Sequence, residues 1–442
     1  MMQDLLLQKQ RVNRWMQEQG AGFAVVRQGK RELMDEPYDP IPRVLSAETF
    51  TYLEQGLIQR INAMNLFLND IHHQRMILRD GVIPEEFVFS SPDFRSQCMG
   101  ITPPLSIYTH ITATDLICST DGTWYVMEDS LSVPDGITYP CFARKLCREV
   151  SPESFTDPNL CDNCGLDILL RQLYKDIREG NTELEDGIVV LLSEGEDKLS
   201  NFELHYMASL TDAVVATAEE LIVMDNKVWY RSPEGGFQKV SILHRSALDT
   251  MLDPLCFDKH SPCGIPHLME VYCAGRIAII NAPGCSIAED RGIRYFIPAM
   301  IRYYLDEEPI LQNTPTYLPW YSQQREYVLT HMDSLVFKEA SSDRRVGAIY
   351  GKDLSEKEKA ALAVDILKYP RKYIAQEIID VEELPVLRSD GISQKPARCD
   401  FRAYTVHSDS LRVWMGGLSR FTVINKHGKS ISGFKDTWVM SK

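Results

Sequence analysis

Residues 114–130, TDLICSTDGTWYVMEDS, hold two β-rich runs around Asp121-Gly122, the dipeptide that most strongly marks a tight hairpin. Taken as a two-residue turn, it sets Thr120 opposite Thr123 and, counting back, pairs Cys118 with Tyr125, Ile117 with Val126 and Asp115 with Glu128. Period two then puts Ile117 and Val126 on the face that carries both acids, which predicts a buried face. Directly opposed side chains lie about 5 Å apart, and like charges there destabilise a sheet unless a cation lies between them. Ser130, two residues past Glu128, returns an oxygen to the same face. Asp115, Glu128 and Ser130 are therefore candidate Mg2+ ligands, while Asp129 points the other way. The competing reading is an exposed hairpin end whose acids pair with surface Arg or Lys.

Outward from this hairpin, a chain of 442 residues exceeds what one hydrophobic core usually supports. Three segments are expected: 1–149, a helical N-terminal part and the acidic hairpin; 150–310, an α/β lobe; and 311–442, a further α+β part with the closing strands. Leu53, Leu57, Ile61, Met64 and Leu68 recur at helical spacing behind Ser46, a good N-cap. His72 and His73 close that pattern and are expected at the solvated surface. The apolar run Ile188–Leu192 fits a strand covered on both faces, and the texture around it alternates strand and helix. Proline-rich residues 308–322 mark the second boundary.

With 47 basic against 62 acidic residues the formal charge is −15, which argues against nucleic acid and anionic membrane as partners. No apolar run is long enough to span a bilayer, and the polar start predicts a cytoplasmic protein. Eleven scattered cysteines suit reduced, mostly buried thiols. Cys161 and Cys164 form one C-x-x-C, but no second pair follows to complete a zinc site.

A second set of charges lies at predicted strand ends: Lys338 in SLVFKEA, Asp400 and Arg402 in DFRAYTV, Lys435 and Asp436 in GFKDTWVM. Charged groups of both signs at buried strand ends suit a metal-bound polyphosphate, although each alone also fits a surface ion pair.

The segments YDPIPRVL, LEQGLIQRINAMNLFLNDIH, DLICSTDGTWYVMEDSLSVPDGITY, LDPLCF, IPAMIRYYLDEEPIL, YIAQE, GGLSR and KDTWV together resemble the circularly permuted ATP-grasp proteins, relatives of glutathionylspermidine synthase. The resemblance implies a mixed α/β and α+β fold, a circularly permuted ATP-grasp with an additional α/β lobe. It also implies ATP and Mg2+ as cofactors, with Asp115, Glu128 and Ser130 at the metal positions, Lys338 at a phosphate position, and Gln376 and Glu377 at the adenine hinge. Asp400, Arg402, Arg420 and Lys435 match charged positions that the family directs toward the same cleft. This chain departs from the pattern in four places. EASSDRRVGAIYG replaces a glycine-rich phosphate loop and offers Arg344 and Arg345; Ser130 stands for an asparagine; Asp135 stands where a small residue is usual; and the glycine-rich run before KDTWV shrinks to SISGF.

The implied chemistry is ATP-dependent joining of a small-molecule or peptide carboxylate to an amine, with Arg245 and Arg294 as candidates for holding the carboxylate. The rival reading is a degenerate, nucleotide-binding or scaffold subunit with a protein partner or a second copy of itself.

Overall fold

The computed structural model describes residues 2–441 apart from residues 23, 28–29, 35–36, 164, 185, 196–197, 342–346, 388–393 and 425–429. Arg344, Arg345 and Cys164 thus lie outside the described residues.

The architecture is mixed α/β and is organised by three sheets. The largest has nine strands, with the order Gln312–Asn313, Trp124–Ser130, Ile111–Cys118, Gln394–His407, Leu418–Ile424, Ser430–Val439 and Tyr38–Leu45 along its path. A four-stranded sheet runs Thr316–Tyr317, Tyr373–Glu377, Leu335–Glu339 and Ile349–Tyr350. The third sheet carries Ile188–Ser193 paired in parallel with Val214–Thr217 and with Phe237–Arg245. Val189–Leu192 are buried throughout, as expected for a strand with helices on both faces.

The long helix Ala47–His72 begins where Ser46 accepts a hydrogen bond from the Thr49 amide at 3.1 Å. Phe50, Leu53 and Leu57 pack against Leu116, Trp124, Val126 and Phe401, closing one face of the nine-stranded sheet. One expectation fails at the end of this helix. His72 is buried at 1 % exposure between Phe94 and Tyr108, with Nε2 3.1 Å from the Gly284 carbonyl, and burial lowers its pKa. Aromatic stacking and a carbonyl partner, both distant in sequence, override the tendency of a terminal histidine to stay in water.

Asp115 does face Glu128, but by a different route from the one the sequence suggested. The turn closes from Ser119 to Thr123, with Thr120, Asp121 and Gly122 in a three-residue loop and Gly122 at φ +87°. That shifts the register by one, pairing Ile117 with Tyr125 and Cys118 with Trp124. A bulge at Met127, between the pairs Leu116–Val126 and Asp115–Glu128, shifts it back. Val126 is consequently on the helix-covered face with Leu116, not beside Ile117.

Candidate functional site

The face of the sheet that carries Asp115 is built strand by strand. Arg402 lies directly opposite Asp115 on the neighbouring strand, and Arg420 directly opposite Asp400 on the next. Arg402 grips Asp115 with both prongs, Nε to Oδ1 at 2.7 Å and Nη2 to Oδ2 at 3.0 Å. Arg420 reaches Asp115 at 2.9 Å and holds Asp400 with two hydrogen bonds of 2.9 and 2.8 Å. Burial alone pushes the Asp115 carboxyl up, but the two guanidinium groups outweigh it and bring its pKa to about 2.

Glu128, the facing acid, gathers cations from two other places. The short helix Arg291–Arg294 starts at Asp290, whose carboxylate accepts from the Gly292 and Ile293 amides and is itself held by Arg371. Thus anchored, the helix aims Arg291 and Arg294 at Glu128, at 2.7 and 3.5 Å. Lys338 crosses from the four-stranded sheet and stops 3.7 Å away. Burial raises the Glu128 pKa, yet Lys338, Arg294 and Arg291 together hold it well below the ordinary carboxylate range. Burial depresses Lys338 in turn, Glu128 opposes that, and the two arginines add to it. Arg294 Nε is buried with no hydrogen-bond partner.

The expected adenine hinge divides between two faces. Gln376 pairs with Val336, on the face of the small sheet that also carries Lys338 and Ile374; it donates to Thr316 Oγ1 at 3.0 Å. Gln376 and Ile374 line one cavity with Arg291 and Arg294. Glu377 turns to the opposite face, where it accepts from Tyr317 Oη at 2.7 Å. Beyond it the chain crosses to the large sheet, where the Thr120 amide donates to the Asp380 carbonyl and the Glu382 amide to the Cys118 carbonyl.

Two expected members of the site are elsewhere. Lys435 pairs with Ser419 and Asp39, and this register puts it on the helix-covered face with Leu116 and Phe401. There it is fully buried, bonded to Asp39 and to the Pro385 carbonyl. Period two instead places Asp436 on the Arg402 face, where Arg144 holds it. Arg245 is also fully buried; it binds Asp249 at 2.6 Å and the carbonyls of Asn281, Ala247 and Ala282, which use up its fork. Ser130 is opposite Ala113, two pairs beyond the two acids.

Three features were not among the expected site residues. Arg291 shares Glu128 with Arg294, which the Asp-Arg-x-x-Arg spacing could have flagged as one helix face behind an N-cap. Asp135 bonds the outer prong of Arg402. Glu203, from the α/β lobe, accepts from the Gly136 and Thr138 amides at 3.0 and 3.3 Å; burial, then the nearby Asp135, push its pKa up to about 7.

Five cations, Arg291, Arg294, Lys338, Arg402 and Arg420, thus meet four carboxylates, Asp115, Glu128, Asp135 and Asp400. Among the described residues no three His, Cys, Asp or Glu side chains form a metal cage. Two facing carboxylates beside surplus positive charge are instead what Mg2+ on a polyphosphate uses, since that ion is held by one or two carboxylates plus phosphate oxygens. The residues fit such a group.

Comparison with known proteins agrees with this architecture. An uncharacterized protein of Synechocystis is 36 % identical over 91 % of this chain and 84 % of its own length. A putative glutamate–cysteine ligase of Frankia casuarinae is 29 % identical over 91 % of this chain, which spans only 47 % of that protein. A glutathione synthetase like-effector from Globodera pallida, solved in its apoform, superposes over the whole chain with a TM-score of 0.57 at 13 % identity, a likeness of fold. The profile of circularly permuted ATP-grasp type 2 proteins matches residues 42–422, and the chain belongs to that family.

Proposed function

We propose that the protein is an ATP-dependent ligase that joins a carboxylate to an amine through an acyl phosphate. The observation that carries this reading is the meeting of Lys338, from the small sheet, with Glu128, from the large one, beside Asp115 and its arginines. A cleft that brings facing acids and convergent cations together from two sheets suits a metal–polyphosphate better than a purely structural ion pair. The ligase name carried by the Frankia relative supports the same class of reaction. The likeness of motifs to glutathionylspermidine synthase belongs to this proposal too, as does the division at residues 149 and 310.

Asp115 and Glu128 would hold Mg2+, which when bound neutralises phosphate oxygens. With their carboxylate partners so engaged, Arg291, Arg294 and Arg420 would be free to turn from carboxylate to phosphate, while Arg402 stays paired with Asp115. Arg294 Nε already lacks a partner. Lys338 would offset charge on the transferred phosphoryl group, and Gln376 with the 377–380 crossing would hold the base. A substrate carboxylate oxygen attacks the γ-phosphorus and ADP leaves; the amine then attacks the acyl carbon, phosphate departs with the electrons of the broken C–O bond, and the proton shed by the amine nitrogen passes to that phosphate. The chain supplies position and charge, and no nucleophilic side chain is needed.

The test is a screen of acid and amine pairs for release of ADP and phosphate, followed by 18O labelling of the successful carboxylate. One 18O should appear in the phosphate. Phosphate free of label rules out the acyl phosphate, and failure to bind Mg-ATP at millimolar nucleotide rules out the ligase in favour of a scaffold.

A further inference from the structure

Arg402 is divided between two carboxylates of opposite character. Its Nε and Nη2 are fixed on Asp115, whose side chain is 6 % exposed. Its remaining nitrogen, Nη1, turns outward to Asp135, whose side chain is 78 % exposed, and donates more weakly to the carbonyl of the same residue at 3.4 Å. A buried two-pronged pair is costly to break, whereas an ion pair with an exposed carboxylate contributes little and yields to competing anions.

The backbone of Asp135 is nevertheless firmly held. Its carbonyl accepts from Tyr404 Oη at 3.0 Å. The next residue, Gly136, sits at φ +86°, where a Cβ would lie 2.8 Å from that hydroxyl, so only glycine fits this approach. The Gly136 amide and, two residues on, the Thr138 amide are capped by Glu203 from the helix Lys198–Thr211. Three anchors thus fix the main chain while the carboxylate is left at the surface, against the outward prong of an otherwise buried arginine.

We propose that Arg402 Nη1 is the receptor for an oxyanion of the substrate, and that Asp135 is the carboxylate this oxyanion displaces. Resting on the ligase reading of the cleft, this makes Asp135 a specificity-determining residue: an incoming acid must outcompete it. A tethered carboxylate keeps the guanidinium paired when the cleft is empty, and it excludes anions that bind Arg402 weakly. The oxyanion is either the carboxylate of the acid substrate or the phosphoryl group placed on it.

Calorimetric titration of the full chain without nucleotide separates these sources, with inorganic phosphate as one probe and succinate as the other. Asp135→Asn, at an exposed position, should leave the fold intact and tighten at least one probe about fivefold. Tightening of phosphate alone assigns the prong to a phosphoryl group; tightening of succinate assigns it to a carboxylate. Adding Arg402→Gln to Asp135→Asn should abolish the gain, and adding Arg402→Lys, which keeps the charge but loses the planar fork, should reduce it by at least half. Unchanged affinity for both probes in Asp135→Asn overturns the proposal, and so does a gain that survives loss of the guanidinium. Because these titrations contain no ATP, they decide this point even if the ligase reading fails in the acid–amine screen.

Discussion

Glu128 and Asp129 are consecutive carboxylates on one strand, and the sheet sends them to opposite fates. Asp129 faces the long helix, where Arg60 binds it through Nε and Nη2 at 2.6–3.2 Å, Thr114 donates a further hydrogen bond, and its side chain is fully buried. Glu128 faces the cleft at 31 % exposure, with three cations at 2.7–3.7 Å and one buried guanidinium nitrogen beside it unpartnered. The first pair is closed: every prong in it has a use within the fold. The second is an open set, with more positive charge than its own acids need. The closed ion pair and the open charge cluster therefore differ in completeness as well as in depth.

The largest effect should come from breaking the closed side. Asp129→Asn leaves Arg60 buried with its charge uncompensated and should cost about 3–5 kcal/mol of stability in denaturant unfolding. Nucleotide affinity of the protein that remains folded should hold. If Asp129→Asn instead abolishes nucleotide binding in stable protein, the two faces are not separate.

On the open side, Lys338→Met should weaken ATP binding by about ten- to a hundredfold, in line with loss of a charge-assisted contact, while leaving adenosine affinity unaltered. Equal losses for both ligands would move the lysine away from phosphate. Glu128→Gln keeps shape and removes charge. It should lower Mg2+-dependent ATP affinity about tenfold yet cost under about 1 kcal/mol in stability, because the like-charged Lys338, Arg291 and Arg294 can move toward water. A stability loss as large as that of Asp129→Asn would show the open set to be structural.

The smallest expected effect concerns Glu203. Its pKa is raised from 4.5 to about 7, so the folded state binds this proton more tightly than the unfolded chain does. The stability it contributes is present below pH 4.5 and is lost as pH rises through about 7. Glu203→Gln should remove that decline, leaving the variant about 1 kcal/mol more stable relative to the parent at pH 8 than at pH 4.5, a figure reduced for the partial exposure of the side chain. Parallel unfolding curves across this range would mean that Glu203 titrates normally.

The closed and open sides were unequally legible in the sequence. The helix stripe Leu53, Leu57, Ile61, Met64, Leu68 and the strand Ile188–Leu192 follow from local periodicity, and both are buried as expected, apart from a less protected Ile188 at the strand start. The facing of Asp115 and Glu128 was also legible, although the turn is one residue longer than assumed and a bulge at Met127 compensates. Lys435 was misplaced because a motif gives a position along the chain but not its face; only the pairing with Ser419 and Asp39 decides that.

By itself the sequence determined what depends on near neighbours: the amphipathic helix behind Ser46, the hairpin around Asp121-Gly122, and motifs specific enough to indicate a permuted ATP-grasp. Tertiary structure alone decided which charges meet. Arg60 finds Asp129 across 69 residues, Arg291 finds Glu128 across 163, and Arg402 finds Asp115 across 287. The physical reason is that hydrogen-bond and hydrophobic periodicity act within a few residues, whereas ionic contacts depend on which strands become neighbours and which face each side chain takes, and the fold settles both only when the sheet closes.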